Sequence, residues 1–149
     1  MAEAQLAGFL ARYDLAIRAV AEAALVRMRE RLPGSVEMVY DNYNALVIGF
    51  VPGERASEAL FSIALYPRWV TLFFLDGAGL PDPHRRLTGK GNRVRGIRLV
   101  NTATLDEPAV QALIAAALER AGQPFDPGVP RKLIIKSISP SQRPRRPIK

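Results

Sequence analysis

Six fixed cations stand within the twenty residues from Leu80 to Leu99: Arg85, Arg86, Lys90, Arg93, Arg95 and Arg98. They face one acid, Asp82, and His84 adds a charge only when protonated. Guanidinium and ammonium groups at this density are the chemistry of anion capture, because each offers charge-assisted donors to phosphate or carboxylate oxygens. Gly89-Lys90-Gly91 invites comparison with a phosphate-binding P-loop. That motif needs Gly, four residues, then Gly-Lys and a Ser or Thr that leads into a helix. Here Gly91 follows Lys90 and the next segment is strand-like. What survives is glycine-freed backbone beside Lys90, Arg93 and Arg95, the expected ligand-binding side chains. A turn with solvated charges would have the same composition.

Tyr40, Tyr43, Tyr66 and Trp69 fall at strand ends or in links. Tyr40 and Trp69 are expected to add aromatic contacts to the ligand site, the alternative being that they rim the core with their polar atoms in water. Material for catalysis is thin. The chain has one His and no Cys, and no paired-His motif, so no catalytic residue, metal ligand or cofactor is assigned. Glu37, Asp41 and Asp76 are the carboxylates a small enzyme would draw on. Arg95 and Arg98 have opposite strand parity and cannot share a face without a bulge. Arg98, between Ile97 and Leu99, is expected to be the structural one, paired with Asp76 or Asp82.

The elements that must position these groups follow from periodicity. From about residue 2 to residue 32, Leu6, Leu10, Tyr13, Ile17, Val20, Ala24 and Met28 recur in steps of three or four, which predicts one long amphipathic helix stopped by Pro33-Gly34. Asp14 with Arg18, and Arg18 with Glu22, are expected to pair on its solvent side. Strands are predicted over residues 36–40, 45–51, 59–66, 69–75 and 94–100, joined by short links that imply an antiparallel meander. A second helix over residues 106–121 starts with Thr104 and Glu107 at capping-box spacing and Pro108 in its first turn, with Asp106 as the alternative cap. No apolar run is long enough to span a membrane.

The net charge of +7 is unevenly placed: residues 1–84 hold seven Lys/Arg against ten Asp/Glu, and residues 85–149 hold fourteen against four. Such a bias favours acidic partners. Residues 123–149 read as a basic Pro/Arg-rich extension, of which 131–138, with Leu133-Ile134-Ile135, would pack as a strand. Arg143, Arg145 and Arg146, set among prolines, suggest a flexible arm that binds nucleic acid weakly, without sequence preference and with steep salt dependence. A merely solubilising tail fits equally well.

Several of these residues carry a resemblance. Glu37 and Tyr40, Leu80-Pro-Asp-Pro83, Leu87-Thr-Gly-Lys-Gly91, Arg93-Val-Arg95 and Ile97-Arg98, in that order, resemble the YdhG-like domain family of unknown function over residues 1–122. The resemblance implies a small bacterial, cytoplasmic α+β domain. It brings no activity for the family as a whole, although some relatives are described as frataxin-like iron chaperones. The segment Gly91-Asn92 departs from the Gly-Lys-Lys or Gly-Lys-Arg pattern of that family.

The expectation is therefore an α+β two-layer sandwich, with a mainly antiparallel sheet of about five strands and both helices on one face. Its function is expected to be non-enzymatic binding of an anionic, phosphate-bearing ligand. The alternatives are a small enzyme acting on a phosphorylated or acyl substrate and, third, iron delivery.

Overall fold

The computed structural model describes residues 1–122 and 124–147. The N-terminal stripe forms two helices instead of the single one expected: α1 (Ala2–Ala11) and α2 (Leu15–Arg31). The break is made by Tyr13, which turns inward and is 1% exposed. Its hydroxyl donates to Leu65 O (3.0 Å) and accepts from Leu46 N–H (3.2 Å). The expected surface pairs of Arg18 do not form; Asp14 instead precedes α2 as its N-cap and pairs with Arg146 at 3.4 Å.

Five strands follow in a meander: β1 (Val36–Asp41), β2 (Leu46–Val51), β3 (Phe61–Leu65), β4 (Val70–Phe74) and β5 (Arg95–Leu99), each antiparallel to its neighbour. After α3 (Pro108–Arg120) the chain returns to the far side of the sheet as β6 (Lys132–Ile138), parallel to β1. The order is β5-β4-β3-β2-β1-β6. The result is a mixed α+β architecture with a mainly antiparallel sheet. Among the described residues, no helix is long and apolar enough to cross a membrane.

Strand alternation divides the sheet into two unlike faces. Val39, Leu46, Ile48, Phe50, Phe61, Ile63, Leu65, Leu72 and Phe74 join Leu6, Leu10, Leu25, Met28, Val110 and Ile114 in one continuous core. Burying each large side chain there contributes roughly 1.5–3 kcal/mol. The opposite face carries only a small cluster, Val36, Met38 and Val51, with Tyr40, Ala59 and Ile134 packed against it. At the end of α2, Gly34 (φ +75°) lets the backbone turn where a Cβ would lie 2.0 Å from Asp126 O. The loop that leads to β6 is thus fitted against the start of β1.

The expected capping box at α3 is replaced by a 3-10 turn over Thr104–Asp106. Thr104 Oγ1 accepts from Val100 N–H (3.1 Å) and Asn101 N–H (3.2 Å), so it closes the turn before the helix instead of capping it. Glu107 is drawn to Arg86.

Tyr13 supplies a first prediction. Burial raises its phenol above the ordinary value of 10.0, with nearby Arg145 opposing the shift. The folded state therefore keeps the proton to higher pH than the unfolded chain. Stability from this group is complete below about pH 10 and is lost as pH rises through the folded value. Tyr13→Phe is expected to remove that alkaline slope. It should also cost about 1–3 kcal/mol at neutral pH, because a buried donor and a buried acceptor lose their partner. Denaturant titrations at neutral and alkaline pH measure both effects.

Candidate functional site

The basic loop is positioned by β5. Thr88 and Gly96 exchange backbone hydrogen bonds, Thr88 N–H to Gly96 O and Gly96 N–H to Thr88 O, both 2.9 Å, so residues 88–96 fold back on the strand. Gly89 (φ +132°) makes that return possible. The three expected ligand-binding cations then diverge. Arg95 turns into the loop, its Nη1 donating to Gly91 O (2.6 Å) and Val94 O (2.9 Å), and so braces it. Lys90 stands exposed at the tip. Arg93 reaches Asp76 at 3.8 Å, and Arg120 reaches the same carboxylate at 3.3 Å. Arg93, Arg120, Asp76 and Glu58 rim a cleft of about 390 Å³ with Leu60 and Phe74 among its walls. Its charges balance.

The expected pairs of Arg98 do not form either. Asp76 is taken by Arg93 and Arg120, while Asp82 accepts the backbone N–H groups of Arg86 and Leu87, both at 2.9 Å. Arg98 is exposed, and its guanidinium lies 4.5 Å from the Trp69 ring centroid.

Two carboxylates that the sequence offers to an enzyme are fully engaged inside the fold. Glu37 and Asp41 lie on the helix-facing side of β1, one near each end, and their side chains are 0% and 2% exposed. Arg29 binds Glu37 with a two-pronged contact, Nε to Oε2 and Nη2 to Oε1, both 2.8 Å, and Arg131 adds a third at 3.2 Å. The hydrogen bonds to Glu37 raise the Arg29 guanidinium above its ordinary value, against the effect of burial. Asp41 receives Arg145 Nη2 at 2.8 Å, with Arg12 at 3.6 Å.

The last contact redefines the C-terminal arm. Arg145, read from the sequence as part of a free polyanion-binding tail, is 3% exposed. Besides Asp41, it donates to Asn42 O (2.6 Å) and Tyr43 O (3.4 Å). Arg146 donates to Arg12 O (3.1 Å) and Tyr13 O (3.4 Å), the carbonyls that the end of α1 leaves without helical partners. Arg143 N–H bonds Tyr43 O (2.9 Å), while its side chain remains exposed. The arm is thus laid along the end of β1 and the α1–α2 corner.

Docked in this way, the arm forms one wall of a groove of about 660 Å³ whose other wall is the β3–β4 turn. Arg68, Arg143 and Arg146 line it, with Tyr66, Trp69 and Pro144, and no Asp or Glu is among its lining residues. The turn, Tyr66-Pro67-Arg68-Trp69, is closed by Tyr66 N–H to Trp69 O at 2.9 Å. The structure therefore joins Trp69 to Arg143 and Arg146, which the sequence had assigned to separate sites. It does not join Trp69 to Tyr40 or to the basic loop. Tyr40 lies three strand spacings away across the sheet, roughly 14 Å, and Lys90 lies beyond the opposite end of β5 from the Leu99–Val70 pair beside Trp69. Tyr66, one of the four aromatics the sequence places at strand ends or links, and Arg68 were not assigned to the expected site, although two aromatics flanking a two-residue link already mark a turn that presents both rings on one face.

Among the described residues, no group of three or more His, Asp or Glu is placed to hold a metal ion. Comparisons with protein-family models, curated proteins and solved structures find no match.

Proposed function

We propose that this protein is a small, non-enzymatic binding domain for a phosphate-bearing anion, and that the groove between the β3–β4 turn and the C-terminal arm holds it. The observation that carries the reading is the make-up of that groove: three arginines, two aromatic rings and no lining carboxylate. Arg146 is partly neutralised by Asp14 at 3.4 Å, whereas Arg68 and Arg143 are exposed cations at the tip of the turn and on the arm. The groove's volume of about 660 Å³ lies in the usual range for small-molecule sites. The balanced cleft of Arg93 and Asp76 attracts a free anion less, because its own carboxylates compete for the guanidinium groups.

The enzyme reading, action on a phosphorylated or acyl substrate, draws on that cleft through Asp76. The YdhG-like resemblance adds no activity to either reading, and iron delivery finds no cluster of His, Asp or Glu to draw on among the described residues.

Thermal unfolding with inorganic phosphate, sugar phosphates and nucleotides tests the proposal. A ligand at a hundred times its dissociation constant stabilises by about 2.7 kcal/mol, or roughly 5–11 °C for a chain of this size. Arg68→Ala and Arg143→Ala are expected to abolish the shift. Lys90→Ala is expected to leave it intact. If Lys90→Ala or Arg93→Ala abolishes it instead, the ligand sits at the basic loop and the groove is not the site.

A further inference from the structure

We infer that the ligand of this groove is a nucleotide unit, a nucleobase joined to a phosphate; the inference rests on the anion-binding reading above and gives it a second, aromatic half. The rings of Tyr66 and Trp69 lie 5.3 Å apart between centroids and are tilted by 32°. Arg98 also lies over the Trp69 ring, its guanidinium carbon 4.5 Å from the centroid. Arg98 is absent from the groove's lining, whereas Tyr66 and Trp69 both belong to it. The groove is thus walled by both rings and not by the cation that lies over Trp69.

A flat ring entering there would meet aromatic surface of Tyr66 and Trp69. Base–aromatic stacking is tolerant of sequence because every base presents a π-face. The turn that carries the rings is fixed in advance by the 2.9 Å Tyr66–Trp69 backbone bond and by Pro67, so little ordering remains to be done on binding. Arg68 follows Pro67 in the same turn, and Arg143 faces the groove from the arm. A phosphate attached to the stacked base would find donors on both walls. A bare sugar phosphate would meet the arginines and leave the rings unused.

Two sources offer this chemistry, a free nucleotide and a single-stranded nucleic acid. Direct titration of the full-length protein separates them, with inorganic phosphate, ribose 5-phosphate, adenosine monophosphate and a short thymidine oligonucleotide as probes. Adenosine monophosphate is expected to bind about tenfold or more tightly than ribose 5-phosphate, the value of one stacking contact. Tyr66→Ala should erase that difference, and Tyr66→Phe, which keeps the ring, should restore it. A single strand as the source would bind more tightly than the mononucleotide, with a logarithmic salt slope of about −0.7 for each phosphate neutralised. Equal affinity for ribose 5-phosphate and adenosine monophosphate, both lost in Arg143→Ala, would overturn the base contact and leave the anion site standing. Binding of none of the probes, or binding indifferent to Arg68→Ala and Arg143→Ala, would overturn both.

Discussion

Arg29→Met is expected to lower the unfolding free energy by about 3 kcal/mol, because it strips the two-pronged partner from a carboxylate with no access to water. Glu37 is 0% exposed, and without Arg29 only Arg131, at 3.2 Å, would face it. For a chain of this length the loss corresponds to a fall in Tm of roughly 6–12 °C. The two sides of the pair should respond unequally. Glu37→Gln frees arginines whose side chains are already 26% and 34% exposed and can turn outward to water, so it should cost less than Arg29→Met. The double replacement Arg29→Met, Glu37→Leu should recover much of the loss, since an apolar pair of similar volume needs no counter-charge. Calorimetry on the three variants is the measurement. A double variant no more stable than Arg29→Met alone would contradict the account.

Arg145→Ala is expected to have a comparable effect on stability, about 3 kcal/mol, and a second effect on binding. The substitution leaves Asp41 buried with Arg12 as its remaining partner, and removes the side-chain donor to Asn42 O and the weaker of two donors to Tyr43 O. It also releases the segment that carries Arg143 and Arg146, so one wall of the groove is no longer held opposite Trp69. Stability and phosphate binding should therefore fall together, although Arg145 is not among the lining residues. Cutting the chain after Pro140 should do the same. A tail kept only for solubility would leave Tm unchanged in both variants, and that result would exclude the arm as a structural element.

Much of the architecture is legible in the sequence because it is written in short-range periodicity. Alternation in Phe61, Ile63 and Leu65, and the short links between strands, specify the meander. The break before Asp14 is not legible. Leu10, Tyr13 and Ile17 keep helical spacing straight through it, and no Gly or Pro marks it; the cause is tertiary, a tyrosine hydroxyl bridging Leu65 and Leu46. The apolar run Leu133-Ile134-Ile135 shows a strand but neither its direction nor its neighbour, which follow from contacts more than ninety positions away.

The candidate site is legible in its chemistry and not in its assembly. Arginine and tryptophan were recognised as ligand-binding types. Which of them meet depends on the charge asymmetry of the chain, part of which is taken up by pairing between its two ends: Arg131, Lys132, Arg145 and Arg146 pair with Glu3, Glu37, Glu54, Asp14 and Asp41. Local reading treats such charges as solvated, because their partners are more than seventy positions distant.

β6 follows every other strand in the chain, so until it docks the sheet has β1 as its edge. An unpaired edge invites a strand from another chain, and inward-facing charges are one of the devices that discourage such pairing. Glu37 and Asp41 are inward-facing charges on β1; Arg29 and Arg12 face them from the helical layer, and Arg131 and Arg145, on either side of β6, complete their pairing. The strand that covers this edge is therefore held to it by ion pairs at both ends as well as by the backbone ladder.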